Sequence, residues 1–181
     1  AAAPKRREWA SQPLSRNLEL GDDNSTIVFV GECDEDMHGF ACTAEPPHHD
    51  EGYAFEVIVR SVRGVHKDDE LAIGFTTTSP NRWPRVLPET ADLVADTWLV
   101  GYSGEMWRGA QEGWSPIIWR PPKLKPNDRV GVLMTFAGTF EVFINGEAVW
   151  ETTVPYGHDE LPLYGVVDLL GNVDEVSLVQ V

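Results

Sequence analysis

The densest run of ligating and titratable side chains in the sequence is Glu32-Cys33-Asp34-Glu35-Asp36-Met37-His38. A calcium loop would need carboxylates at alternating positions, a central glycine and a terminal glutamate, and that order is missing. A glycosidase would need two carboxyls across a sugar, about 5–5.5 Å apart for retention or about 6.5–9.5 Å for inversion. Glu32, Asp34 and Asp36 would share one face of an extended strand, with roughly 6.5–7 Å between neighbours. Gly31 and Gly39 bound the run, however, and Met37-His38 breaks its alternation, so the stretch reads as a solvated acidic loop. His48-His49-Asp50 has neither helical nor knuckle spacing for zinc. The carboxylates beside Cys33 disfavour a thiolate there, and nothing in the sequence activates Cys42. Gly101-Tyr102-Ser103-Gly104 is not a nucleophile elbow, and no glycine-rich phosphate loop opens a helix. The sequence therefore predicts no catalytic residue, no metal and no cofactor.

A second constellation is aromatic and cationic. Trp83, Trp107 and Trp114 lie in segments that read as loops, accompanied by Arg82, Arg85 and Arg108. Trp, Tyr and Arg are the commonest anchors of protein interfaces. The expected protein-binding set is Arg82, Trp83, Arg85, Tyr102, Trp107, Arg108 and Trp114. The competing reading is that each indole packs beneath its own loop, in which case its removal lowers stability before it lowers affinity. Trp98, Trp119 and Trp150 fall in strand-like segments and belong to the core or its margin.

The elements that must carry these residues are short. Pro and Gly, 13 and 16 of them, punctuate the whole chain and leave little room for long helices. Between the breaks lie segments rich in Val, Ile, Phe and Trp, read as strands at 26–30, 39–44, 53–62, 71–76, 97–102, 129–136, 139–144, 147–154, 163–170 and 175–181, with a weaker one at 116–119. In 53–62, Tyr53, Phe55, Val57 and Val59 share a face. Asn145-Gly146 suits a type I′ turn, whose central residues both need positive φ. One helical turn is expected around 88–94. The longest loops are read at 31–39, 45–52, 79–88 and 103–115. About ten short strands with dense turn signals predict an all-β, two-sheet antiparallel sandwich.

Composition sets the outer limits. A chain of 181 residues with 42% apolar residues is one domain with a sizeable core. The formal net charge of −15 opposes binding to nucleic acid or to an anionic membrane face. No apolar run reaches the roughly 18 residues of a membrane span. Two cysteines are too few for a disulfide scaffold, and the expected compartment is the cytoplasm. Residues 1–15, with the basic cluster Lys5-Arg6-Arg7, are read as a solvated tail, and residues 16–181 as the domain.

From residue 71 the chain carries a specific combination of motifs. Leu71-Ala72-Ile73-Gly74-Phe75-Thr76 is followed by Ser79-Pro80, Leu87-Pro88, Ala91-Asp92-Leu93 and Trp98. Later, Ile144-Asn145-Gly146 is followed by Pro162-Leu163-Tyr164-Gly165-Val166-Val167-Asp168-Leu169-Leu170-Gly171. In order and spacing, over roughly residues 27–179, this resembles the neuralized homology repeat of the neuralized family of ubiquitin ligases. Ala41-Cys42-Thr43-Ala44-Glu45-Pro46 replaces the family's Phe-Ser-x-Arg-Pro stretch, and the acidic 32–38 loop and the 107–114 segment also depart from the pattern. The resemblance implies a SPRY- or concanavalin-like sandwich that serves as a protein-interaction module. In the ligases such a domain selects substrates or adaptors, while a RING or SOCS box elsewhere recruits the ubiquitin machinery. Two cysteines cannot supply a RING, so the chain is not expected to be an enzyme. The expected partner is a protein or peptide, of basic character given the acidic surface. The alternatives are a carbohydrate-binding or glycoside-hydrolysing concanavalin-like domain and a purely structural spacer or oligomerisation domain.

Overall fold

A computed structural model describes residues 5–32, 37–63, 70–109, 111–120, 123–157, 161–169 and 171–181. Cys33, Asp34, Glu35 and Asp36, part of the acidic run considered above, lie outside the described residues.

Strand β6 (Gly52–Val62) sets the architecture. Its Tyr53, Phe55, Val57 and Val59 are buried, while Glu56 and Arg60 stand on the opposite face. It pairs with β11 (Arg129–Thr135), which pairs with β12 (Thr139–Ile144), which pairs with β13 (Glu147–Thr153). On its other side come β15 (Val173–Leu178), β3 (Thr26–Phe29) and β2 (Leu18–Leu20). The short β5 (His48–His49) pairs with the start of β6. The second sheet runs in the order β1 (Trp9–Leu14), β4 (Phe40–Thr43), β14 (Tyr164–Asp168), β7 (Ala72–Thr76), β8 (Thr97–Gly101), β9 (Glu105–Arg108) and β10 (Gln111–Pro116). The strand pairs are antiparallel in both sheets. Inward rows of the two sheets interdigitate as a sandwich core, in which Phe55, Phe75 and Phe140 meet edge to face.

The middle of the second sheet is buried on both faces. Every residue of β4, β7 and β8 is buried, which explains why these strands read as nearly continuous apolar runs, without the alternation of a strand that faces water on one side. Residues 77–96 supply the outer cover, through two 3-10 turns at Pro80–Arg82 and Ala91–Leu93. Trp83, Ala91 and Val94 from this cap pack on Phe40, Cys42, Ala72, Leu99 and Val166 of the sheet. These two turns are the only helical residues described, and the second falls inside the expected 88–94 turn. No helix among the described residues is long and apolar enough to cross a membrane.

Three expectations need correction. The segment 103–115 is not a loop but holds the hairpin β9–β10, and the weak strand at 116–119 shrinks to its first residue, the end of β10. The described part of the expected 1–15 tail, residues 5–15, is not a solvated tail. It contains edge strand β1, paired with β4. Trp9 is 1% exposed, donates its indole N–H to the Ser25 carbonyl at 3.0 Å and meets Phe55 edge-on. Pro13 weakened the strand signal, but proline is tolerated on an edge, where this strand lies. Ahead of it, Arg7 and Gln180 clamp the two ends of the fold together: the Arg7 N–H donates to Gln180 Oε1 at 2.8 Å, and Gln180 Nε2 donates to the Arg7 carbonyl at 2.9 Å.

Candidate docking face on the capped sheet

Alternation along 163–169 sends Val167 and Leu169 into the sandwich and Val166 and Asp168 toward the cap. Asp168 is 0% exposed. Its Oδ2 accepts the Ala91 N–H of the cap at 2.9 Å and the Tyr102 hydroxyl at 2.6 Å. Burial, the largest influence, pushes its carboxyl up to about 7, against the pull of these two hydrogen bonds and with a further push from Asp92. Oδ1 has no hydrogen-bond partner among the described residues.

Tyr102 carries the network outward. It sits at φ 44° in the turn between β8 and β9, a conformation that bulky residues adopt only when their surroundings enforce it. Its ring meets Trp114 edge-on at 4.4 Å between centroids, and Trp114 lies 5.9 Å from Trp107. The Trp114 indole N–H donates to Asp92 at 3.3 Å, which returns the chain of contacts to the cap beside Ala91. Asp168, Tyr102, Trp114 and the 91–92 turn thus form a closed ring of contacts that ties β14, the β8–β9 turn, β10 and the cap into one rigid face.

The expected binding residues take different places in this arrangement. Tyr102, Trp107 and Trp114 come together, each half-buried. Trp83 is 8% exposed, packed at a tilt against Phe40 with 5.4 Å between ring centroids, and its indole N–H is donated to the Thr78 carbonyl at 2.7 Å. Its ring anchors the cap from below and leaves little for a partner to touch. Arg82 and Arg85 are exposed on the cap. Arg108 turns away to the other sheet, where it donates to Thr152 Oγ1 at 3.1 Å and to the Thr153 carbonyl at 3.4 Å on β13.

Sequence reasoning missed the two most accessible apolar side chains of the cap, Val86 at 85% and Leu93 at 61% exposed. The available signal was an aliphatic residue inside a turn-rich segment with no strand to claim it. Cys42, by contrast, lies buried beneath the cap, and burial pushes its thiol up to about 12, so it is an inert packing residue. Among the described residues no group of three His, Cys, Asp or Glu converges as a metal site would require.

The family model described as Neuralized matches residues 16–180. The crystal structure of the Drosophila melanogaster neuralized NHR1 domain superposes with a TM-score of 0.76 at 14% identity, covering 97% of this chain and 98% of that one. The solution structure of the NHR domain in Neuralized from the same organism gives 0.68 at 14% identity, over 99% and 95%. The SPRY domain of human HERC1 gives 0.61 at 15% identity, over 95% and 97%. No curated protein matches. A two-sheet antiparallel sandwich with this strand order, matched by that model over nearly its whole length, places the chain in the Neuralized family.

Proposed function

We propose that this domain, a protein-interaction module by its family and fold, docks a partner segment on the cap and the adjoining β9–β10 hairpin. The observation that carries this reading is that the cap exposes Val86 and Leu93 and that Asp92, next to Leu93, holds Trp114 of the half-buried set Tyr102, Trp107 and Trp114. Scattered exposed aliphatics are ordinary, but here Leu93 directly follows Asp92, which holds Trp114, and a contiguous apolar patch is what an interface needs. Partner apolar groups would bury against this surface, and Arg82 and Arg85 would fix the register by hydrogen bonding. The net charge of −15 favours a partner that is basic beyond the contact and speeds its approach at low salt. In a longer protein or complex the domain would choose the substrate or adaptor, with ubiquitin transfer supplied from elsewhere and no catalysis by this chain. The proposed setting is the cytoplasm.

The carbohydrate reading has less support. A sugar stacks on an open ring face, whereas Trp83 is covered and Trp107, Trp114 and Tyr102 pack on one another.

The test is affinity capture from native lysate with the wild type and with the double variant Val86→Asp, Leu93→Asp. Both positions are solvent-exposed, so folding should be unchanged. Proteins captured by the wild type should be lost from the variant, with affinities at least about tenfold weaker once purified. Equal capture by a well-folded double variant would place the interface elsewhere.

A further inference from the structure

On the far edge of the seven-stranded sheet from the β9–β10 hairpin lies a groove of about 540 Å³, lined by residues 5–8 and 43–48 and by Val181. Ala44, Pro46 and Pro47 give it an apolar wall, while Thr43 Oγ1 is already occupied by the Gly165 N–H at 3.0 Å. Its charges are largely cancelled within the fold. Lys5 pairs with Glu45 at 2.8 Å, and Arg6 pairs with Asp23.

Arg7 is the exception. Its backbone is held on both sides by Gln180, and its side chain is half-buried in the groove. Neither an ion pair nor a hydrogen bond engages its guanidinium among the described residues. Burial lowers its pKa from the ordinary value, and no carboxylate offsets that effect. Glu8 lines the same groove without pairing with it. A partly desolvated guanidinium gains from a planar carboxylate, which offers it two parallel hydrogen bonds.

We infer that this groove is a second binding site, independent of the docking face, for an extended partner segment that presents an acidic side chain to Arg7 and apolar neighbours to Pro46 and Pro47. The chain's overall negative charge does not forbid this. Fields are screened beyond about 8 Å at physiological ionic strength, so the acidic surface outside the groove counts for little at contact. A membrane fits less well, because the groove is concave and a net charge of −15 opposes an anionic leaflet.

The experiment uses the whole chain and two synthetic probes, acetyl-Pro-Leu-Glu-Leu-Pro-amide and its glutamine counterpart, followed by backbone amide NMR. The glutamate peptide should give saturable shifts at Ala44, His48 and Gln180, and the glutamine peptide should bind at least about tenfold more weakly. Arg7→Gln should lose the glutamate preference and leave the spectrum of the sandwich core unchanged, because the Arg7–Gln180 clamp uses backbone atoms of Arg7. Arg7→Lys should retain part of the preference. Raising the salt tenfold should weaken the glutamate peptide alone. The inference fails if the two peptides bind equally, if a folded Arg7→Gln variant binds like the wild type, if neither peptide shifts these amides, or if only phosphatidylserine vesicles show Arg7-dependent binding.

Discussion

Asp168 is the residue whose chemistry reaches furthest through the molecule. Its carboxyl is pushed up to about 7 from the 3.8 of an exposed aspartate, with burial as the first cause. Between those two pH values the folded chain binds a proton that the unfolded chain does not. The contribution of Asp168 to stability is therefore fully present below about pH 4, falls as pH rises toward 7 and levels off above it. Relative to Asp168→Asn, the wild type should lose up to roughly 4 kcal/mol across that window. Denaturant midpoints of both proteins at pH 4.5, 6 and 8 measure this, and a constant difference would show that the carboxyl titrates normally. Trp83 makes the opposite lesson concrete. Trp83→Ala should remove the underside of the cap and lower stability by about 3–5 kcal/mol, with binding falling only as the folded fraction falls. Melting curves and affinity measured on one sample separate the two effects. The side of the sheet that Asp168 takes, with Val166 and opposite Val167 and Leu169, was legible in the alternation of 163–169. The burial of Trp83 was not, because a sequence can mark a loop without saying that the loop lies flat on a sheet.

At the scale of elements, the hairpins divide by length. The β12–β13 turn was legible because Asn145-Gly146 demands left-handed backbone, and the structure has φ of 52° and 82° there. Gly146→Val should cost about 1–3 kcal/mol by forcing a branched residue into that region. A matching drop in the urea midpoint is expected, and an unshifted midpoint would mean that the turn rearranges freely. The β9–β10 hairpin escaped notice because β9 has four residues, and only Met106 of these is buried in the core. One buried residue carries no periodicity. Gly109 and Gly113, at φ 53° and 97°, look from the sequence like loop breakers, yet Gly109 directly follows β9 and Gly113 lies inside β10, at its register shift. Strand β1 was hidden in a similar way, since its proline argues against a central strand and says nothing against an edge.

For the whole molecule, the fold is shared with the Drosophila domain at 14% identity and a TM-score of 0.76, so it rests on patterning rather than on particular core residues. On the proposals above, the cap and the groove are where a partner would be chosen. The clamp between Arg7 and Gln180 has a separate consequence. Because the first and last described segments hydrogen-bond to one another, the order in which the strands are synthesised is not needed to define the fold. A circular permutant that joins residue 181 to residue 5 through a short glycine-serine linker and opens the chain at the exposed Asn145-Gly146 turn should fold to the same sandwich, with a melting temperature within several degrees of the parent. The same proximity would let the domain sit within a larger polypeptide as a side lobe, entered and left at one point, so that tension along that polypeptide would bypass both sheets and load only this clamp.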